Sequence, residues 1–477
     1  MKNRFNRLTS KEWLPFQKSW FKYSTDEALY RENIRFFCKA EVSGEDAVYF
    51  GKHYDLFKKI ADECSIKSTN IQKFNGESQF IFFDLRDYFN ELTTSTEYDS
   101  LKNEVVSYVK NNLEKLLDRR FVCILIPNLQ IKKKYFAYAW DLAKEVSKYI
   151  SLKDEKIACF TDGQEKKSEK FFQPSLGYFY CLYFRKDEQS GILHSNEEID
   201  FFTMNQQIEK KTKFSQLIPG WFVLKPQPRK KDEILHPAKY PEDLVEMFVS
   251  VFTVENDNVF DPMSGTGSSQ LGALRLKRNG FGTELSEFFA GIANGRCKEY
   301  LEPSQRVLFY EEKNQTFKII NKDARLINSS DFPVLDYMVT SPPYWDMLNA
   351  KGAENQAKRV QKGLKTNYSD DADDMGNIES YIEFLMTLKD VYFKIASLMK
   401  PGSYMTIVVK NIKKKGSNYP FAWDLSNLLQ QKLILLPEVF WCQDDISIAP
   451  YGYGNTWVSN TFHQYCLNFQ VPENFKN

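Results

Sequence analysis

A chain of 477 residues with 42% hydrophobic, 15% aromatic and 27% charged residues is too apolar for a disordered polymer, and its length predicts two folding units. Lys and Arg number 64 against 63 Asp and Glu, so no global basic excess announces a nucleic-acid binder and any such face must come from local clusters. Eight cysteines without a C-x-x-C pair, four histidines and no apolar run of about 18 residues predict reduced thiols, no metal and no membrane, hence a soluble cytoplasmic protein.

The first half of the chain becomes informative when it is laid on the second. Ile124 to Leu142 aligns without gaps on Ile407 to Leu425 at one constant offset, since 407 minus 124 and 425 minus 142 both give 283. Asn128 then pairs with Asn411, and Ala139-Trp140-Asp141-Leu142 with Ala422-Trp423-Asp424-Leu425. Tyr180-Cys181-Leu182 matches Tyr465-Cys466-Leu467, and Asp84-Leu-Arg-Asp-Tyr-Phe89 falls where the later copy has Thr340-Ser-Pro-Pro-Tyr-Trp345. Residues near 75 to 185 therefore read as a degenerate copy of the C-terminal half of the later domain. Having lost both prolines and the serine of that loop, the early copy is expected to be inert.

After residue 230 strands and helices alternate. Pro241-Glu242 opens an amphipathic helix. Asn258-Val-Phe-Asp261 is a short strand entering the loop Met263-Ser-Gly-Thr-Gly-Ser-Ser, and Gln270 to Arg278 is the helix that follows. Gly280 to Glu284 is a second strand, a third ends at Asn321-Lys-Asp323, and Leu335 to Val339 is a fourth that ends at the proline loop. This alternation predicts an α/β fold with a doubly wound, mostly parallel sheet whose ligands bind at the strand C-terminal ends. The predicted organisation is an early domain over 1–190, a linker over 191–235, and a catalytic domain over 236–477 with an insert at 349–380.

Two loops carry chemistry. Glycines after a strand let backbone N–H groups and a helix N-terminus approach a ligand. Here the next strand closes on Glu284, suited to accepting from ribose hydroxyls. Gln270 breaks the G-x-G-x-x-G pattern and no Gly-Lys-Ser/Thr follows, so a nucleoside cofactor without phosphates, S-adenosylmethionine, fits better than a dinucleotide. Asp323 is placed to accept from an adenine amino group; a helix cap is its other reading.

In Thr340-Ser-Pro-Pro-Tyr-Trp345, the prolines fix the backbone and leave carbonyls without competing N–H donors. An exocyclic aromatic amine is a weak nucleophile because its lone pair is delocalised into the ring. Ser341 and the Pro342 carbonyl, accepting both amino hydrogens, would draw that nitrogen toward tetrahedral geometry. Tyr344 would stack on a base extruded from the duplex.

Residues 236 to 470 resemble the amino-methylating (N4-cytosine and N6-adenine) DNA methyltransferases. His236-Pro237-Ala-Lys-Tyr-Pro resembles their element before the glycine loop, and Asp261-Pro262-Met-Ser264-Gly265-Thr266-Gly267 resembles the S-adenosylmethionine loop. Glu284 resembles their ribose acid and Ser341-Pro342-Pro343-Tyr344 their catalytic loop. The resemblance implies a Rossmann-like methyltransferase fold, S-adenosylmethionine as cofactor and double-stranded DNA as substrate. Ser-Pro-Pro-Tyr in that family goes mostly with N4-cytosine, and Asp- or Asn-Pro-Pro-Tyr with N6-adenine, the alternative here. An RNA or protein amino methyltransferase and a non-catalytic DNA-binding module are weaker alternatives. C5 methylation is excluded because no Pro-Cys dipeptide exists.

The catalytic loop is longer than its early counterpart, since the offset is 256 at Tyr88 and Tyr344 but 283 at Asn128 and Asn411, a gain of 27. The added segment carries Lys351, Lys358, Arg359, Lys362 and Lys365, suited to phosphates, and then an acidic stretch, Ser369 to Asp374. The chain ends soon after the last matching strand, so residues 1 to 190 and the insert are expected to read DNA. A nuclease, where one is paired with this activity in a restriction-modification or phage-defence setting, is expected to be a separate chain.

Overall fold

The computed structural model describes residues 3–39, 47–131, 134–161, 165–167, 172–174, 177–187, 219–225, 241–302, 314–343, 345, 374–414, 417–444, 448–450, 452–454, 457 and 459–475. Strands in the first part are β1 (Trp20–Lys22), β2 (Ala47–Phe50), β3 (Ser68–Asn70), β4 (Ser78–Asp84), β5 (Leu116–Ile126), β6 (Leu129–Ile131), β7 (Lys134–Phe136), β8 (Ser151–Cys159), β9 (Glu165–Lys167), β10 (Phe172–Pro174) and β11 (Tyr178–Arg185). The second part has β12 (Trp221–Val223), β13 (Asn258–Asp261), β14 (Asn279–Glu284), β15 (Phe317–Asn321), β16 (Leu335–Thr340), β17 (Met399–Val409), β18 (Ile412–Lys414), β19 (Ser417–Tyr419), β20 (Ile434–Leu435), β21 (Val439–Cys442) and β22 (His463–Gln470).

Ser78–Asp84 shows why these segments are strands: the run Gln-Phe-Ile-Phe-Phe is buried on both faces, as a central strand of a helix-covered parallel sheet must be. Helices start on short polar caps. Thr94 and Glu97 form a capping box before Ser95–Asn112, and Ser286 and Ser380 cap Glu287–Leu301 and Tyr381–Ala396, satisfying amides that have no partner inside the helix.

The later sheet runs β15-β14-β13-β16-β17-β22-β21-β12, and β10 and β9 continue it beyond β12. Its pairs from β15 to β17 are parallel, while β22 is antiparallel to both β17 and β21. This is the doubly wound, mostly parallel sheet expected from the alternation of strands and helices. β12 lies inside the span read as a linker, 191–235, and joins the later sheet by parallel pairing with β21. The chain leaves β13 outward through β14 and β15, then returns to place β16 and β17 on the other side. The crevice at the C-terminal ends of β13 and β16 is therefore the switch point, where open α/β sheets bind ligands.

The early sheet has the order β3-β2-β4-β5-β11-β8-β1. Position for position this matches β14-β13-β16-β17-β22-β21-β12, with parallel and antiparallel pairs in the same places. The duplication thus extends beyond residues 75–185 to take in Trp20–Lys22 and Ala47–Asn70, where sequence identity has faded while the topology persists. One helix differs from its sequence reading: Gln270 to Arg278 is in fact Ser268–Arg275, because Lys277 turns into the left-handed region at φ 63°.

The two copies share one core. A single buried cluster contains Ile124, Trp140 and Tyr180 of the early copy with Trp423, Phe440 and Tyr465 of the later. The copies also exchange loops. β10 pairs with β12 of the later sheet, while Tyr453 and Trp457 pack into the early copy's second core. Trp457 Nε1 donates to the Phe16 carbonyl at 2.9 Å.

Candidate active site

Asp261, the last residue of β13, is 1% exposed and fully engaged. Its Oδ1 accepts from Met263 N at 2.9 Å and from Thr340 Oγ1 at 2.7 Å, and Oδ2 accepts from Ser269 Oγ. One carboxylate therefore clamps the turn of the glycine loop, the first turn of the helix after it, and the end of the strand that delivers Ser341. A parallel pairing of Val259 with Tyr337 sets this register. The two loops singled out in the sequence, far apart along the chain, meet at the switch point.

The glycine loop is shaped by what could not fit. Gly265 and Gly267 have φ of 52° and 81°, a region costly for residues with a Cβ. A Cβ on Gly267 would lie 2.9 Å from Ala293 Cβ, so glycine lets the helix Glu287–Leu301 approach the loop. A Cβ on Gly282, in the neighbouring strand, would lie 2.2 Å from Ser264 Oγ. Ser264 Oγ is turned inward, donating to the Asp261 carbonyl at 3.1 Å and accepting from Gln270 Nε2 at 2.9 Å. Gln270 also holds the Phe281 carbonyl at 2.9 Å. The residue that breaks the dinucleotide pattern thus fastens the loop to β14. Arg296 reaches the Thr266 carbonyl at 2.6 Å and pairs with Glu242.

Glu284 ends β14 as the sequence implies. Its Oε2 accepts from Gly265 N at 2.8 Å and Oε1 from Ser286 N at 3.0 Å. Burial pushes its carboxyl up to about 7, and the neighbouring charges of Asp261 and Asp374 push the same way against those two amides. Asp374, just past the basic part of the insert, was not among the expected site residues; it is buried and caps the turn Met375–Asn377. Only its placement in the fold brings it toward Glu284. Asp323 caps the turn Ala324–Leu326, accepting from Arg325 N at 2.8 Å, and its other oxygen is paired with the Arg325 guanidinium at 2.5 Å. The capping reading of Asp323 is thus realised, with an arginine on its other oxygen.

Ser341 and Pro343 are half-buried and Pro342 is buried at the C-terminal end of β16. Trp345 is 4% exposed. It packs on Tyr381 and Tyr419 with ring centroids 5.1 and 4.8 Å away, while Lys414 lies over it at 4.0 Å. The hairpin β18–β19 thus buttresses the Ser341 loop through Trp345. His236, Pro237, Tyr344 and the insert residues Lys351, Lys358, Arg359, Lys362 and Lys365 lie outside the described residues.

The equivalent strand ends of the early copy carry a different set of side chains, bonded to one another. Asp84, at the end of β4, accepts from Tyr30 OH at 2.6 Å and pairs with Arg86 at 2.6 Å, and Tyr30 OH lies 3.2 Å from Tyr49 OH on β2. Two phenols and a guanidinium thus meet at the C-terminal ends of β2 and β4, which hold the positions of β13 and β16 in the early sheet.

The family described as DNA methylase, the N6/N4 methyltransferases, has a model that matches residues 51–295. The chain belongs to that family. The match takes in Asp261–Gly267 and Glu284 and stops before Ser341. Within it the degenerate loop Asp84–Phe89 precedes the glycine loop, whereas the intact Ser341 loop follows it; the sheet places the latter beside β13. The family's methyl donor is S-adenosylmethionine.

Among curated relatives, the orphan methyltransferase M.BamHII of Bacillus amyloliquefaciens is 41% identical over 66 residues, 14% of this chain and 25% of that protein. The type II methyltransferase M.BglII of Bacillus subtilis is 36% identical over 63 residues, 13% and 18% of the two chains. The chain therefore spans a quarter or less of the length of these relatives. Among solved structures, TrmN from Thermus thermophilus is similar with a TM-score of 0.29 at 12% identity over 49% of this chain and 50% of that one. Magnesium protoporphyrin IX methyltransferase from Synechocystis PCC 6803, with bound SAH, has a TM-score of 0.29 at 13% identity over 48% and 80%. Among the described residues no helix is long and apolar enough to cross a membrane, and no cluster of His, Cys, Asp and Glu could hold a metal.

Proposed function

We propose that this chain is a site-specific DNA methyltransferase that moves a methyl group from S-adenosylmethionine to the exocyclic N4 amino group of cytosine in duplex DNA. The observation that carries this reading is the Asp261 clamp, which joins the glycine loop and the Ser341 loop at one crevice. The crevice also suits the donor. It has glycines where a Cβ would intrude and gathers Asp261, Glu284 and Asp374, whose carboxylates favour a cation.

When bound, the donor supplies an electrophilic methyl on a sulfonium. The chain's own part is to position the amine. Ser341 Oγ and the Pro342 carbonyl accept the two amino hydrogens, so that the nitrogen lone pair turns out of the ring plane toward the methyl. Tyr344 stacks on the flipped base. Glu284 takes the ribose hydroxyls; Pro262, Thr266 and the element at His236 and Pro237 line the donor. Asp323 closes the far end through the oxygen shared with its own turn. The residues Lys351, Lys358, Arg359, Lys362 and Lys365, with residues 1–190, hold DNA. A separate restriction endonuclease partner fits the type II names of the relatives.

The test is nucleoside mass spectrometry on mixed-sequence duplex DNA after incubation with S-adenosylmethionine, with Ser341→Ala alongside. N4-methylcytosine that disappears in the variant supports the reading. N6-methyladenine would keep the mechanism and move the base, and no methylated nucleoside from any DNA would overturn it.

A further inference from the structure

Equivalent residues of the two copies meet reciprocal partners. Asn128 Nδ2 and Tyr180 OH donate to Glu438 Oε1 at 2.9 and 2.5 Å. Their later equivalents, Asn411 Nδ2 and Tyr465 OH, donate to the two oxygens of Glu155 at 2.7 Å each. Glu155 and Glu438 stand at the offset of the repeat itself, since 438 minus 155 gives 283, and both are buried. Trp20 Nε1 donates to the Gln443 carbonyl at 2.9 Å, and Trp221 Nε1 to the Phe160 carbonyl at 3.1 Å. Between these contacts Trp140 and Trp423 lie nearly parallel, 14° apart with centroids 6.1 Å apart.

Contacts in which i meets j and j meets i define an isologous two-fold interface, here within a single chain. The axis runs between Trp140 and Trp423. The hairpins β6–β7 and β18–β19 follow the C-terminal ends of β5 and β17, on the crevice side of each copy. Tyr135 of the first hairpin donates to Glu438, and Lys413 of the second reaches Asp154 at 2.7 Å. Both hairpins therefore flank the axis. The second also buttresses the catalytic loop through Lys414 and Tyr419, so a duplex engaged by that loop and continuing across the axis meets the first, which carries Lys134.

We propose that the early copy is a built-in second subunit: it occupies the face by which the later copy would pair with another chain, it holds no donor, and its β6–β7 hairpin carries the DNA onward past the axis. This rests on the reading of the later crevice as the donor site. The isologous face, once filled internally, is closed to a second chain. The Tyr30–Asp84–Arg86 network closes the early crevice to a nucleoside.

The full-length protein is tested by sedimentation, by calorimetric titration with S-adenosylhomocysteine, and by duplex affinity against salt for Lys134→Ala. The expected results are a 56.0 kDa species at all concentrations and one nucleoside per chain. Lys134→Ala should weaken duplex binding several-fold with the salt slope shallower by about one, at unchanged nucleoside affinity. A stable dimer, two nucleosides per chain, or unaltered DNA binding by Lys134→Ala would each overturn the proposal. No nucleoside binding at all would instead overturn the donor-site reading, with the mass and the Lys134 result still deciding the pairing face and the DNA track.

Discussion

Thr340 Oγ1 donates to Asp261 Oδ1 at 2.7 Å between two adjacent parallel strands, both side chains buried. This bond ties the glycine loop directly to the strand that ends at Ser341. Thr340→Val keeps the shape and removes the donor, leaving the carboxylate its bonds from Met263 and Ser269. A loss of about 1.5–3 kcal/mol is expected for a hydrogen bond to a buried charge. Turnover should fall more than S-adenosylhomocysteine affinity, because β16 and not the glycine loop is released. Denaturant titration with a split of kcat against donor Kd checks this; equal losses in both would contradict it.

Gly267→Ala combines a left-handed backbone at φ 81° with a 2.9 Å approach to Ala293 Cβ. The left-handed conformation alone costs about 1–2 kcal/mol, and the contact adds to it. Ala293→Gly in the same chain should restore the part due to the contact and leave the backbone part. Thermal melts of the two single variants and the double variant separate the contributions, and no rescue would mean that the helix Glu287–Leu301 yields without cost.

Glu284 gives a pH dependence of defined sign. Its folded-state carboxyl is raised from an ordinary 4.5 to about 7, so between those values the folded protein holds a proton that the unfolded chain has lost. Stability from this group is therefore greatest below about 4.5, declines as pH rises to about 7, and is level above. Nucleoside binding should move oppositely, strengthening through pH 7 as the carboxylate becomes available to ribose hydroxyls. Glu284→Gln should flatten both profiles, measured by melting temperature and by calorimetry from pH 5 to 8.

Tyr180→Phe and Tyr465→Phe probe the two carboxylate cages. Each removes a hydroxyl that donates to a buried glutamate, at 2.5 or 2.7 Å, and accepts from a tryptophan N–H at 3.0 Å. Leaving a buried charge short of one donor costs about 1–3 kcal/mol. The two variants should lose similar amounts, and unfolding should remain a single transition because the core is shared. Separate transitions in either variant would show that the copies are held independently.

The local pieces are legible in the order of residues: the strand before Asp261, the glycine loop, the acid at Glu284, the strand before Ser341, and a repeat anchored on Ala-Trp-Asp-Leu. Each is written in a few adjacent residues, where backbone restriction by glycine and proline and the burial period of a strand act at short range. Which of the two equivalent loops stands beside β13 is not written there, because it follows from pairing between strands distant along the chain, Val259 with Tyr337 and Phe260 with Met338. The partners of Gln270, Gly282 and Asp374, and the exchange of Glu155 and Glu438 between copies, likewise depend on how the elements pack. The full reach of the duplication was hidden for the same reason: buried β-sheet topology accepts many apolar residues of similar volume, so Ala47–Phe50 keeps its place in the sheet while sharing with Asn258–Asp261 a single identical residue, Val48 with Val259.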